Sequence, residues 1–415
     1  MKLILKSFVL ILLLSSSHLL LKGQDREASL KQMRKDVEFL ASDKLKGREA
    51  GSKESKKAAD YIADRFEDLG LTPIGDDNTY LQKFSFPKFR DPHTGHESEE
   101  KLEGYNVLAY MNNGASNNVV IGAHFDHLGM GGGPNSFHEG LAIHNGADDN
   151  ASGVAALLCI AEKLKASKYK RNNYIFVAFT GEEKGLLGSN YFLKHPPFYL
   201  NTMNYMINLD MVGRLDTNKG VVINGVGTSP IWKASLEKTD PVNLKISTTE
   251  SGVGPSDHTS FYLKDIPAIH FFTGSHEDYH RPSDDYDKIN YEGILEISDY
   301  VVALVGDLNS KLKLAFTRTK DDENNSSSAP KFKVTLGVIP DYLFDGEGLR
   351  IEGVRNGRPA SNAGIRAGDV VISIAENQVI NMKTYMEALS KLEEGQKAKV
   401  VIKRGEKPLT FDVQF

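Results

Sequence analysis

The chain has 415 residues, an ordinary globular composition and a formal net charge of −5 at pH 7. This length exceeds the usual size of one hydrophobic core, so two domains are expected, and the acidic balance without a basic cluster argues against nucleic acid or an anionic membrane as the main partner. The single cysteine, Cys159, excludes an intramolecular disulfide and is expected to be a small buried hydrophobe.

The N-terminus has the pattern of a secretory leader. Two lysines come before apolar runs over residues 8–14 and 19–21. These runs are too short to cross a bilayer comfortably, so we predict a signal peptide over residues 1–23, with a membrane anchor as the alternative. The mature chain would begin near residue 25, be secreted or periplasmic, and have no stable membrane span.

The next part of the chain alternates helical and strand patterns. Apolar residues recur at helical spacing over residues 30–40 and 52–69, and Gly70 ends the second helix. Short, wholly apolar runs, as expected of strands buried on both faces, follow at residues 119–123, 174–179, 205–209 and 268–272. These patterns predict an α/β domain over residues 25–317, in which helices sandwich a mixed, largely parallel sheet.

The remainder of the chain is predicted to form a second, smaller domain. A helical pattern over about residues 291–314 is followed by a polar stretch without apolar periodicity, which we interpret as a linker over residues 318–330. Residues 331–415 then combine short alternating strands, Gly-rich turns and one helix near residues 382–392.

Imidazoles and carboxylates follow the predicted strands of the first domain. They are His124 and Asp126 after the first strand, Glu182 and Glu183 after the second, Asp210 after the third, and His280 past the fourth. In an open α/β sheet such positions meet outside the carboxyl ends of the strands. Each has an ordinary explanation when taken singly, as a strand-end histidine or a solvated acidic turn. Their coincidence at one edge predicts a site.

The stretch "GADDNASG", residues 146–153, places two adjacent aspartates at the start of an apolar helical pattern. Either could simply cap the helix or favour the positive end of its dipole. Two histidines and three carboxylates, however, suit a pair of divalent ions, zinc above all although other divalent metals are possible, with one carboxylate bridging them. Asp149 is the natural bridge, and Asp148 is expected to be a local capping or orienting group.

These motifs carry a resemblance to a known family. "GAHFDH", "NGADDNASG", "FTGEEKGLLGS", "NLDMVGR", "SDHTSF" and "DYHRPSDD" run in this order, behind a leading "LASDKLKGREAGS", through roughly residues 30–310. In these segments the chain resembles the secreted dizinc aminopeptidases, whose relatives include glutamate carboxypeptidase, glutaminyl cyclase and the catalytically dead transferrin receptor ectodomain. The resemblance implies the zinc exopeptidase fold and a zinc-dependent peptide hydrolase.

The resemblance also implies roles for individual residues. The implied ligands of two zinc ions are His124 and Asp210 for one ion, Glu183 and His280 for the other, and Asp149 as the bridge. Glu182 would be the general base, and Asp126 would orient the imidazole of His124. The histidines that match no ligand position are expected to be loop or support residues: His127, His138, His144, His258 and His276.

One departure from the family pattern concerns the oxyanion. Some family aminopeptidases have a tyrosine just before the Ser-Asp-His segment that is thought to steady it. Residues 251–255 of this chain contain no tyrosine. Transition-state stabilisation then rests on the metals or on another donor, and the sequence does not identify that group.

The C-terminal part resembles a bacterial, circularly permuted PDZ domain. The resemblance lies in "GEGLRIEGV", residues 346–354, and in the following "PASNAGIRAGDVVISIAENQVI". It implies that the N–H groups of Gly348, Leu349, Arg350 and Ile351 bind the terminal carboxylate of a peptide or protein, while the edge of the following strand pairs with the peptide backbone. A spacer domain that binds nothing is the alternative.

The residues and the resemblance together predict a zinc aminopeptidase that removes N-terminal residues from peptides. The alternatives are a carboxypeptidase or glutaminyl cyclase on the same scaffold, or a non-enzymatic peptide-binding protein, against which the predicted ligand set and Glu182 argue. A carboxypeptidase needs cationic groups to hold the terminal carboxylate. Arg214 and Arg281 are the nearest candidates, and each could equally have a structural role.

Overall fold

The computed structural model describes residues 25–88, 98–133, 135–239, 244–319, 334–340, 346–354, 357–380 and 382–415. The predicted signal peptide, and all of the predicted linker except its first two residues, lie outside these ranges. Among the described residues, no helix has both the length and the apolar character needed to cross a bilayer.

The larger sheet has nine strands in the described chain, in the order β1-β3-β5-β4-β6-β9-β7-β8, with β2 also paired to β3. These strands are β1 (Thr72–Pro73), β2 (Leu81–Pro87), β3 (Lys101–Met111), β4 (Asn118–His124), β5 (Asn173–Phe179), β6 (Met203–Leu209), β7 (Val221–Asn224), β8 (Ile246–Thr248) and β9 (Ala268–Phe272). The four central strands β5, β4, β6 and β9 are parallel, whereas β3 and β7 run antiparallel to their neighbours β5 and β9. The predicted mixed, largely parallel sheet is confirmed.

The central strands are buried along their whole length. Strands covered on both faces need continuous apolar sequence, and the four predicted runs match β4, β5, β6 and β9 to within two residues. The sequence did not predict the outer strands, because they lack such runs. In β2 buried and exposed residues alternate, β3 begins with a polar half, and most of β8 is exposed.

Helices cover both faces of this sheet. The helices of the described chain are α1 (residues 25–40), α2 (Lys53–Asp68), α3 (Gly153–Ala166), α4 (Leu187–Lys194), α5 (Trp232–Lys238), α6 (His258–Tyr262), α7 (Tyr291–Leu308), α8 (Pro359–Ala363) and α9 (Met382–Ser390). Residues of α1, α2, α3, α5 and α7 share the main core with one face of the sheet, and residues of α4 and α6 form a second core on the other face.

The predicted end of the seventh helix near residue 314 is wrong. The helix ends at Leu308, where the N–H of Asn309 still bonds to the carbonyl of Val305 at 2.8 Å. Leu314 is nevertheless buried in the main core, and its N–H bonds to the Asn204 side chain at 2.8 Å. A buried apolar residue in an irregular segment therefore imitates the continuation of a helical pattern.

The C-terminal part contains a second sheet, which has six strands in the described residues and the order β10-β11-β12-β14-β15, with β13 paired to β12. These strands are β10 (Val338–Pro340), β11 (Leu349–Val354), β12 (Val370–Ile374), β13 (Asn377–Gln378), β14 (Lys397–Arg404) and β15 (Lys407–Gln414). A separate core includes Ile351, Ile374 and Val400 from the strands and Leu389 from α9.

Candidate metal centre

The predicted site residues meet at the carboxyl edge of the parallel strands. His124 is the last residue of β4, Asp210 directly follows β6, and Glu183 lies in the turn after β5. His280 belongs to the segment beyond β9, where its backbone is left-handed with φ of 54°. Because the four central strands run in the same direction, their ends deliver these side chains to one place.

Two groups of side chains share Asp149. The Nε2 atom of His124 lies 3.2 Å from a carboxylate oxygen of Asp210 and 3.4 Å from Oδ1 of Asp149. The Nε2 atom of His280 lies 3.2 Å from Oδ2 of Asp149 and 3.4 Å from Oε1 of Glu183. Oδ1 of Asp149 thus faces His124, and Oδ2 faces His280.

His127 also lies in this cluster, although the sequence predicts it to be a loop or support residue. Its Nδ1 lies 2.9 Å from Oε1 of Glu183 and 3.7 Å from Oδ2 of Asp149, close enough for these three to form a possible metal group by themselves. The Nδ1–H of His280, by contrast, donates to the backbone carbonyl of Asn135 at 2.7 Å and leaves Nε2 for a ligand. A second ring nitrogen bonded to a carbonyl is typical of metal-binding histidines.

The segment that carries Asp149 is fixed by neighbouring carboxylates. The side chain of Asp284 accepts the backbone N–H groups of Asp148 and Asp149 at 3.0–3.1 Å. Asp148 in turn accepts the N–H of Gly213 at 2.6 Å and lies 3.0 Å from Nε2 of His276. These contacts fit the local orienting role that was expected for Asp148.

Asp126 contacts His124 mainly through its backbone. The Nδ1 atom of His124 lies 3.2 Å from the carbonyl oxygen of Asp126 and 3.8 Å from its carboxylate. The carboxylate accepts the N–H of Glu182 at 3.2 Å. Burial raises the pKa of Asp126 to about 6, and the neighbouring His124 opposes that rise. Asp126 therefore links the ends of β4 and β5.

Glu182 lies beside the cluster without joining it. Within the described chain, no ion pair involves its carboxylate, whereas Glu183 pairs with two imidazoles. Burial raises the pKa of Glu182 well above its usual range, and the nearby carboxylates of Glu183, Asp210 and Asp257 raise it further against the opposing effect of His124. A carboxyl group with a raised pKa holds a proton more readily than an exposed one.

Charges of opposite sign alternate in the cluster. Burial raises the pKa of Asp149, but the imidazoles of His127, His124 and His280 hold it well below its usual range. Burial lowers the pKa of His280, but Glu183 and Asp149 raise it to about 10. Cations at this place would meet ionised carboxylates and imidazole nitrogens, which is the donor set that zinc prefers.

Both arginines near the motifs already have partners. Nη2 of Arg214 bonds to the carboxylates of Asp278 at 3.1 Å and Asp284 at 3.4 Å. Arg281 donates to the backbone carbonyl of Phe137 at 2.7 Å. These bonds give both side chains a structural role.

Two family models match the chain. The model of peptidase family M28 matches residues 106–305, which include every predicted metal ligand and Glu182. The PDZ domain model matches residues 317–415. The chain has an M28 peptidase domain and a PDZ domain.

Curated relatives resemble part of the chain. A probable leucine aminopeptidase 2 of Aspergillus oryzae is 29% identical over 274 residues, which cover 58% of this chain and 49% of that protein. Aminopeptidase YwaD of Bacillus subtilis is 28% identical over 200 residues, which cover 46% of this chain and 44% of that protein. The chain thus spans about half the length of these curated relatives.

Solved structures share the fold of the M28 domain. An aminopeptidase from Aneurinibacillus sp. superposes with a TM-score of 0.53 at 18% identity, covering 70% of this chain and 95% of that one. A glutaminyl cyclase of Porphyromonas gingivalis gives a TM-score of 0.51 at 19% identity, covering 68% and 97%. At these identities the likeness shows the fold alone.

In the PDZ domain, the structure corrects the predicted mode of peptide pairing. The strand that begins at Leu349, β11, lies between β10 and β12 in the sheet and has neighbours on both sides. The N–H of Gly348 bonds to the carbonyl of Ile380 at 3.1 Å, and the N–H of Ile351 bonds to that of Asp369 at 2.7 Å. A peptide therefore cannot add to the edge of β11, and part of the predicted Gly348–Ile351 loop already has acceptors. In the described part of this sheet the outermost strands are β10 and β15.

Proposed function

We propose that the M28 domain is a zinc aminopeptidase with two zinc ions in the cluster around Asp149. The observation that carries the proposal is the shared carboxylate, whose two oxygens lie 3.4 Å and 3.2 Å from Nε2 of His124 and His280. The remaining ligands would be Asp210 beside His124 and Glu183 beside His280. In this assignment His127 supports Glu183 through its Nδ1–H and does not bind metal.

The donor set fits zinc in number and chemistry. Both imidazoles present Nε2 to the cluster, because Nδ1 of His124 faces the carbonyl of Asp126 and Nδ1 of His280 faces that of Asn135. The neighbouring imidazoles hold the pKa values of Asp149 and Glu183 below their usual ranges, so these two carboxylates are held ready as anions. Bound zinc supplies Lewis acidity to a substrate carbonyl and acidifies water.

Glu182 is the residue that we assign to proton transfer. Its side chain is half-buried, adjacent to the proposed ligands and outside their ion pairs, and its pKa is raised mainly by desolvation. It would take the proton of the attacking water and pass it to the departing amine. The carboxylate of Asp126 would hold Glu182 by accepting its backbone N–H. The backbone carbonyl of Asp126 would hold the imidazole of His124.

The charges around the site favour cleavage from the amino end of a peptide over cleavage from its carboxyl end. The cluster contains Glu183, Asp149 and Asp210, and Glu182 lies beside it; these carboxylates favour a substrate with a free α-amine. Arg214 and Arg281, the cations that a carboxypeptidase could use, are already bonded within the protein. The curated relatives that carry the name aminopeptidase support the same direction.

The test compares blocked and free ends on the zinc-loaded mature chain. We expect hydrolysis of leucine anilide, little hydrolysis of its N-acetylated form, and only a small effect of C-terminal amidation on peptides. Activity on acetylated peptides that is lost on amidation would indicate a carboxypeptidase. Ammonia release from a peptide with N-terminal glutamine, without release of an amino acid, would indicate a glutaminyl cyclase. Binding of peptides with neither hydrolysis nor cyclisation would indicate a non-enzymatic peptide-binding protein.

For the rest of the chain we propose a secreted or periplasmic protein with a signal peptide over residues 1–23, a linker and a PDZ domain over residues 331–415. The backbone N–H groups of Thr317 and Thr319 bond to Thr228 and to Tyr262 of the M28 domain, at 2.9 Å and 3.0 Å. These contacts support a peptidase domain that reaches to about residue 319, two residues beyond the predicted boundary. The outer edge of β10, which is one of the two outermost strands of this sheet, would pair with peptides or protein C-termini.

A further inference from the structure

Arg48 is a fully buried arginine whose side chain bonds only to backbone in the described chain. Its guanidinium donates to the carbonyls of Phe125 at 2.7 Å, Asn145 at 2.5 Å and Gly146 at 3.0 Å, and also to that of Leu40. Because carbonyl oxygens are its acceptors, the side chain fixes the positions of chain segments and does not neutralise a carboxylate by direct contact.

The segments that Arg48 joins carry two of the candidate metal ligands. Phe125 directly follows His124, and Asn145 and Gly146 come shortly before the bridging Asp149. His124 and Asp149 approach each other to 3.4 Å, although they belong to different segments. Arg48 is therefore a common attachment point for both.

The segment before Asp149 is held from two sides. Arg48 binds the carbonyls of Asn145 and Gly146, while the carboxylate of Asp284 accepts the N–H groups of Asp148 and Asp149. A cation thus holds the carbonyl groups and an anion holds the N–H groups of one short stretch. This arrangement fixes the backbone of the stretch without any contact to the ligand atoms of Asp149.

The backbone around Arg48 is strained. Lys46, Gly47 and Arg48 have φ of 45°, 70° and 49°, a left-handed run that is unfavourable for the two non-glycine residues. A Cβ atom at Gly47 would lie 2.4 Å from the carbonyl oxygen of His144 and 2.5 Å from that of Gly129. Strain of this kind persists only where the surrounding structure enforces it, and it concentrates at functional sites.

We propose that Arg48 is a positioning residue, which holds the segments of His124 and Asp149 at the spacing that metal binding requires. The inference rests on the proposed function, because it takes these two residues as ligands. Burial lowers the pKa of Arg48 to about 10, so the side chain still carries its charge at neutral pH. The planar guanidinium has five donors and can bond to several carbonyls at once, whereas lysine is a point charge.

The test measures metal binding in Arg48→Lys and Arg48→Met. Arg65→Lys and Arg65→Met are the matched controls, because Arg65 is also largely buried but bonds to Asp36 of α1 at 2.9 Å. For each protein we would measure the zinc dissociation constant by competition with a chromophoric chelator, the absorption spectrum of bound Co²⁺, and the unfolding of the metal-free form. Both Arg48 variants should lose about 10- to 100-fold in zinc affinity and show an altered Co²⁺ spectrum. The Arg65 variants should lose stability alone.

Two results would overturn the inference. Arg48 variants that are less stable but keep wild-type zinc affinity and Co²⁺ spectrum would show a merely structural role. An Arg48→Lys protein identical to wild type in both measurements would show that a positive charge at this position is sufficient and that the hydrogen bonds of the guanidinium are not needed to position the two segments. If Arg48→Met does not fold, the zinc affinities of Arg48→Lys and Gly47→Ala test the inference instead. The Cβ atom added in Gly47→Ala displaces the turn that carries Arg48, so this variant should also bind zinc more weakly. A wild-type protein that binds no zinc would instead reject the proposed function on which the inference rests.

Discussion

The adjacent residues Glu182 and Glu183 should respond differently to the same substitution. Glu183 lies 2.9 Å from His127 and 3.4 Å from His280, whereas no ion pair in the described chain involves Glu182. Glu182→Gln should therefore keep its zinc and lose about 10²- to 10⁴-fold in kcat, the usual contribution of general acid–base catalysis. This loss corresponds to about 3–5 kcal/mol of transition-state stabilisation. Glu183→Gln should lose zinc first.

Glu182→Gln should also make the metal-free protein more stable at neutral pH. Burial raises the pKa of Glu182 in the folded protein above its ordinary value of 4.5, and neighbouring carboxylates add to the effect. A carboxyl group with a raised folded-state pKa destabilises the fold once the pH exceeds the unfolded-state pKa. The gain in the free energy of unfolding should thus be present at pH 7 and absent below about pH 4.5.

The assay measures kcat on leucine anilide, zinc content by elemental analysis, and urea unfolding of the chelated protein at pH 4 and pH 7. Glu182→Asp is the conservative control, because it keeps a carboxylate and should recover part of the activity. Full activity of Glu182→Gln would remove Glu182 from the mechanism. Loss of zinc from Glu182→Gln equal to that from Glu183→Gln would refute the distinction between base and ligand.

Three further predictions concern the metal, the second domain and the core. Chelation should abolish hydrolysis reversibly and lower the melting temperature, and zinc at 100 times its dissociation constant should restore about 2.7 kcal/mol of stability for each bound ion; calorimetry that finds no zinc-dependent shift would contradict this. A chain that ends at Ser328 should hydrolyse leucine anilide at the full rate and long peptides less well, whereas loss of anilide hydrolysis in a folded truncated protein would mean that the PDZ domain completes the active site. Leu304→Ala, at a fully buried position of α7, should cost about 2–5 kcal/mol in urea unfolding without changing zinc affinity, and an unchanged urea midpoint would contradict the packing argument.

The fold was predictable where a single physical cause determines the sequence pattern. Strands covered on both faces must be apolar throughout, and all four such runs correspond to the central strands of the sheet. The outer strands are only partly buried and therefore lack continuous apolar runs: buried and exposed residues alternate in β2, and most of β8 is exposed. The end of α7 was misjudged because burial of Leu314 depends on packing and not on helical geometry.

The convergence of the candidate ligands was predictable because topology brings strand ends together, and the positions after each strand carry imidazoles and carboxylates. The supporting residues were not predictable in this way. His127 follows His124 by three residues, a spacing that says nothing about which imidazole faces Glu183. Arg48 is 77 residues from its acceptor Phe125, and its contacts are to backbone, which has no sequence signature. Only the folded structure shows that Arg48 and the strand ends converge.

The PDZ domain shows the same limit. The Gly-rich stretch around Gly348 resembles a carboxylate-binding loop, but strand order decides whether the following strand has a free edge. The strands β10 and β12 pair with β11 from its two sides, so the outermost strands of the described sheet are β10 and β15. This order depends on long-range pairing between segments of unremarkable sequence.

The crystal structure of the zinc-loaded protein, with anomalous diffraction recorded at the zinc absorption edge, tests the central claim most directly. The account predicts two anomalous peaks, one on each side of the Asp149 carboxylate. The first should be bound by His124 and Asp210, and the second by Glu183 and His280. A single peak, a peak bound by His127 in place of His280, or peaks away from Asp149 would contradict it.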